Sequence, residues 1–188
     1  MLKIVKGKTP NDLNLNNPCI ILGCAYNIYD DINKLPFEIN ENTDIMCVNQ
    51  IIISFPNKIK HFASFESVYY YERVNIRYQN KNLNNDFILH SPDGWNIKNT
   101  DIVWDANKYG LIYSGTLAIC IMCSLGYKEI YLCGMPMNGS LKYYKDKHAE
   151  SQNRKQSMID SLKNAKEKNL FKGTKVISMS GESKKIFN

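Results

Sequence analysis

The chain has 188 residues, 44% of them hydrophobic and 11% aromatic, with a formal net charge of +6. That length suits one domain with a full core, and the composition excludes a disordered or fibrous chain. No apolar run reaches the roughly 18 residues that a membrane span needs.

The opening MLKIVKGKTPNDLN lacks the apolar stretch of a signal peptide, so a cytoplasmic protein is expected. The charge comes from 21 lysines against 3 arginines, scattered except in the C-terminal third. Arg is the residue that forks onto phosphates, so the excess hints at an anionic ligand and no nucleic acid is expected. The six cysteines, Cys19, Cys24, Cys47, Cys120, Cys123 and Cys133, sit mostly inside apolar runs, as reduced, buried thiols do. Cys120 and Cys123 form a CxxC with no second pair; zinc normally takes four ligands, so no metal site is expected.

Apolar runs of strand length alternate with helical patterns, as in an α/β fold with a parallel sheet. The run 18-PCIILG-23 predicts a strand buried on both faces. Residues 27–35 predict a short helix with Asn27 as N-cap and Pro36 beyond its end. Strands are expected at 44–49 and 59–65, then a helix over 67–78. Strands at 87–91 and 101–105 precede a helix over 114–125 and a strand at 129–134. A long polar helix over 148–168 leads to a last strand at 174–180. The whole reads as a single Rossmann-like domain over residues 1–188, a mainly parallel sheet flanked by helices.

In open sheets of this class, ligands bind beyond the carboxyl ends of the strands. The rule selects residues 23–27, with Gly23 and Asn27, and then Asn49 and Gln50. It also selects 64–66, His90 and Ser91, 134–138 beginning at Gly134, and 180–181. The helix start at Ser114, Gly115 and Thr116 joins them, because its free N–H groups and positive dipole end suit a phosphate. Each has a plain structural reading too: an amide that turns the chain, an N-cap, a close-packing glycine. An amide at 49–50 both donates and accepts, which suits a base or ribose.

Tyr143 and Tyr144 are either surface packing or phenols that hydrogen-bond a leaving phosphate. His148 lies in a charged run, either solvated or a general base for an acceptor hydroxyl. His90 is a second candidate base at a strand end, whereas His61 sits in an apolar strand and reads as structural. Trp95 and Trp104 are either core or stacking platforms.

The segment 113-YSGTLAICIMCSLGYKEIYLCG-134, with 47-CVNQ-50 and 138-NGSLKYY-144, resembles the bacterial lipooligosaccharide sialyltransferases of glycosyltransferase family 42. The resemblance implies a cytidine nucleotide or CMP-sugar donor, its base near Asn49 and its phosphate near Ser114 and the two tyrosines. It also implies a glycan acceptor and a possible homo-oligomer; no obligatory metal is expected, because no carboxylate pair with metal-ligand spacing occurs in the sequence. Cys24 stands where that family carries the Asn of an Asn-Gly-Pro turn, and the segment bearing its catalytic His is shorter here. The chain also resembles a wider group of pterin-pyrophosphokinase-like proteins and small phage-encoded proteins, with endings like 134-GMPM-137 and 177-ISMSG-181. That group implies two alternatives. One is a diphosphate transferase using Mg²⁺, with Glu66, Asp93 and Asp105 as its acidic candidates. The other is a phage accessory protein that binds a nucleotide without turnover.

Overall fold

The most apolar runs of the sequence become the centre of the sheet. The computed structural model describes residues 1–95, 97–137 and 152–188. Eight strands run in chain order: β1 (Ile4–Lys6), β2 (Cys19–Leu22), β3 (Ile45–Val48), β4 (His61–Ala63), β5 (Ile88–Pro92), β6 (Ile102–Trp104), β7 (Glu129–Cys133) and β8 (Lys175–Ser178). Their order across the sheet is β1-β6-β5-β4-β3-β2-β7-β8. Strands β2 to β8 are parallel, and β1 alone runs antiparallel, on the edge beside β6. The Rossmann-like expectation holds: this is an α/β domain with a mostly parallel sheet.

Every residue of β2 and β3 is buried, and their side chains alternate between two cores. Cys19, Ile21, Met46 and Val48 face one core; Ile20, Leu22, Ile45 and Cys47 face the other. The first core is closed by α4 (Ser114–Leu125) and α5 (Gln152–Glu167), through residues such as Leu117, Ile121, Ile159 and Leu162. The second is closed by α1 (Ile28–Ile32), α2 (Ile51–Ser54) and α3 (Ser67–Gln79), through Ile28, Ile51, Ile52, Tyr70 and Val74. A short α6 (Gly181–Phe187) packs on β8. Helix α4 is buried almost all round, as its continuous apolar composition requires. Gly126 ends it in the left-handed conformation, with φ 104°. No helix among the described residues is long and apolar enough to cross a membrane. All six cysteines are unpaired and buried.

Most predicted elements form, with ends that differ from expectation by up to three residues. The polar helix expected over 148–168 is described from Gln152; residues 138–151 lie outside the described residues. Three elements carry no sequence signal strong enough to predict them. β1 is three partly exposed residues, α2 is the four-residue IIIS, and α6 is the polar GESKKIF.

Helix α3 is anchored by a buried charge. Arg77 is fully buried; its Nη1 donates to the carbonyls of Ile52 (2.8 Å) and Phe55 (3.0 Å), its Nε to Asn84 O (2.8 Å) and its Nη2 to Asn57 O (3.3 Å). One planar fork therefore ties α3 to the end of α2 and to two loops. Replacing Arg77 with Met strands several carbonyls, each costing about 1–3 kcal/mol when unsatisfied. A loss of about 3 kcal/mol or more is expected in urea unfolding, and Arg77→Lys recovers only a minor part, because one ammonium cannot span four acceptors.

Candidate functional site

The order of strands reverses between β2 and β7, so the crevice of this fold opens at their C-terminal ends. Two glycines make the reversal possible. A Cβ on Gly23 would lie 2.4 Å from Gly134 O and from Met135 Cγ. Gly134 has φ 67°, and its own Cβ would meet Ile28 at 2.9 Å. Both expected glycines thus sit at the switch point, and they act by letting two backbones approach.

Beside them, Asn27 caps nothing with its side chain. Its Nδ2 instead donates to Ser180 Oγ (2.8 Å) and Asp31 Oδ2 (3.2 Å). Asp31 is fully buried, and the same Oδ2 also accepts from Ser180 Oγ (2.7 Å) and Gly134 N (2.9 Å). The carboxylate gathers the ends of β2, β7 and β8. Two acceptors of this cluster, Asn27 Oδ1 and Asp31 Oδ1, are buried without a hydrogen-bond partner among the described residues. Sequence reading missed Asp31, which sits inside a short helix pattern with nothing to mark it as buried.

Asn49 and Ser114 converge on the segment just after β4. Asn49 lies in the left-handed region, φ 58°, where Asn is tolerated and most side chains are strained. Its Oδ1 accepts the Ser64 hydroxyl at 2.7 Å. Ser114 Oγ accepts the next amide, Phe65 N, at 2.9 Å. Two residues far apart in sequence therefore bind consecutive residues just beyond β4. Gly115 lies under Met135, whose Cε would be 2.5 Å from an added Cβ. The exposed Trp95 packs edge-on against Phe65, ring centroids 5.1 Å apart. Gln50 is exposed at the start of α2. Thr116 leaves the group: it is fully buried, and its Oγ1 accepts Ser161 Oγ of α5 at 3.2 Å. Tyr143, Tyr144 and His148 lie outside the described residues.

His90 sits in the interior rather than at the rim, in a directed chain of hydrogen bonds. The Trp104 indole can only donate, and it donates to His90 Nδ1 at 3.1 Å. A neutral His90 then carries its proton on Nε2, facing His61 Nδ1 at 2.9 Å. His61 in turn presents Nε2–H to the Tyr127 hydroxyl at 3.3 Å. Tyr127 donates to Asp44 Oδ2 at 2.5 Å, which also accepts Asn14 N at 3.0 Å. Every proton points toward Asp44, at the N-terminal end of β3. Burial holds His90 down to about 3 and His61 well below its usual range. A histidine with both nitrogens engaged and no contact with solvent is not placed to take a proton from an acceptor.

The acidic candidates for Mg²⁺ are each engaged by the protein. Asp93 Oδ1 accepts Asn107 N (2.9 Å), Asp105 Oδ1 accepts Lys3 N (2.6 Å), and Glu66 pairs with Arg73. A separate polar cleft of about 450 Å³, lined by residues including Asp12, Glu41, Asp44 and Lys58, opens at the opposite, N-terminal end of β3 and β4. Its groups include the Lys60–Asp12 ion pair. The C-terminal rim is the better site, because the switch point, the strained Asn49 and the unpartnered Asn27 and Asp31 oxygens lie there.

Comparison with protein-family models, with curated proteins and with solved structures finds no match.

The histidine chain has a consequence for stability. Both histidines stay neutral when folded but take protons near pH 6.5 when unfolded. The unfolded state thus binds more protons as pH falls, and stability is lost from about 6.5 downward to the folded-state value near 3 for His90. Each contributes up to about 1.4 kcal/mol per pH unit. Urea unfolding between pH 6.5 and 5, above most carboxylate titration, should show this slope. In a His61→Gln/His90→Gln variant it should flatten, whatever the starting stability.

Proposed function

We propose that this chain is a small nucleotide-sugar-dependent glycosyltransferase, sialyltransferase-like, that holds a cytidine nucleotide across the C-terminal ends of its strands. The observation that carries the reading is the convergence of Asn49 and Ser114 on Ser64 and Phe65. A base beside Asn49 and Gln50, with the exposed Trp95 near, and a phosphate at the start of α4 then fall on one stretch of rim. The first turn of α4 leaves N–H groups without intrahelical partners, and its dipole favours an anion.

In this reading the donor sugar loses the nucleotide through an oxocarbenium-like transition state while an acceptor hydroxyl attacks, by analogy with glycoside cleavage. Tyr143 and Tyr144 would hydrogen-bond the departing phosphate, and His148 would take the acceptor proton; His90 is withdrawn from that role. Six unpaired thiols support a cytoplasmic setting.

Thermal unfolding with CMP, CDP, UDP and ATP, each with and without Mg²⁺, tests the ligand class. CMP at a hundredfold its dissociation constant adds about 2.7 kcal/mol, which raises the Tm of a domain this size by roughly 5–10 °C. That shift is expected without Mg²⁺ and should largely vanish in Asn49→Gly, which keeps the left-handed backbone but removes the amide. A shift by ATP only with Mg²⁺ would point to diphosphate transfer instead. CMP binding with no product from a CMP-sugar donor, read by mass spectrometry, would leave a nucleotide-binding protein without turnover.

A further inference from the structure

Arg73 and Arg77 stand one turn apart on α3, and the fold treats them differently. Arg77 has backbone carbonyls for all three guanidinium nitrogens. The Arg73 side chain is only 7% exposed, and among the described residues it pairs through Nη2 with Glu66 Oε2 at 2.5 Å. Its Nη1 is buried with no hydrogen-bond partner among the described residues. The guanidinium also lies 5.3 Å from the centre of the Tyr69 ring, within cation–π range.

The direction of the side chain brings it to the rim. Helical side chains lean toward the helix N-terminus, and α3 begins at Ser67, directly after the end of β4. Arg73 accordingly reaches back to Glu66, the residue before the helix. The ion pair thus lies just beyond the end of β4, where Glu66 follows Ser64 and Phe65. The start of α3 has no side-chain cap, so its dipole adds to the positive field there.

We propose that Arg73 is an anion-binding residue of the rim, whose guanidinium takes a phosphoryl oxygen of the nucleotide, and that Glu66 competes with that phosphoryl group for it. The proposal rests on the nucleotide reading for the identity of the ligand. A guanidinium stays charged at every working pH, and a buried N–H without an acceptor is costly. A phosphoryl group supplies several acceptors in the planar geometry the fork prefers. Glu66 is 35% exposed on its side chain, so it can swing into solvent when a stronger anion arrives.

Calorimetric titration of the full chain with CMP and with cytidine isolates the phosphate contribution. Arg73→Met should weaken CMP by about tenfold to a hundredfold, the worth of a charged hydrogen bond, and leave cytidine unchanged. Glu66→Gln should tighten CMP several-fold, and the double variant should lose that gain. CMP affinity unchanged in both single variants overturns the proposal. If Arg73→Met fails to fold, Glu66→Gln decides alone, because it alters a part-exposed residue without changing its shape. If wild type binds neither CMP nor cytidine, the nucleotide reading fails and pyrophosphate becomes the probe. Tighter pyrophosphate binding by Glu66→Gln than by wild type then sustains the anion site, and equal or absent binding in both overturns it.

Discussion

A sheet that is apolar on both faces leaves few places for a polar side chain, and that constraint organises this protein. Inside the sheet, polar groups survive only in series, each one the partner of the next. The indole of Trp104 cannot accept, so it sets the orientation of His90, and His90 sets that of His61. The line of donors runs through Tyr127 and ends on Asp44, whose carboxylate can accept several at once. The same constraint applies to Arg77, whose charge is tolerated because four carbonyls surround it. Where the strands end, the constraint relaxes. There the polar valences are left incomplete: the oxygens of Asn27 and Asp31 and the Nη1 of Arg73.

The rim is a different kind of structure from the interior. It is held by backbone geometry more than by side-chain packing. Gly23 and Gly134 permit a closeness that any other residue would forbid. Asn49 holds a left-handed conformation at the end of a buried strand, the kind of local cost that tends to collect at binding sites. Asp31 then ties three strand ends to one oxygen. These features together gather the ends of β2, β7 and β8 at the switch point.

The sheet and its order of helices were legible because the signal is strong: runs such as CIIL and IMCV, fully buried, leave little choice. Asn49, Gly23 and Gly134 were legible through a topological rule that needs only the strand ends, and Ser114 as the start of a helix. Thr116 and His90 were misplaced for the same reason. Periodicity locates a residue along an element but not the direction of its side chain, and both point inward. Asp31 and Arg73 were illegible because a charge in a helix pattern normally faces water, and only the packing of distant loops reveals otherwise. β1 is short and partly exposed and α6 is short and polar, and they form because the rest of the sheet is there to receive them.

The outermost strand beside β6 has a bearing on self-association. It runs against its neighbours, is only three residues long, and slips register between Ile4 and Lys6. A short irregular border with a lysine at its end is a poor template for a further strand. Copies of this protein are therefore discouraged from fusing their sheets edge to edge along that border.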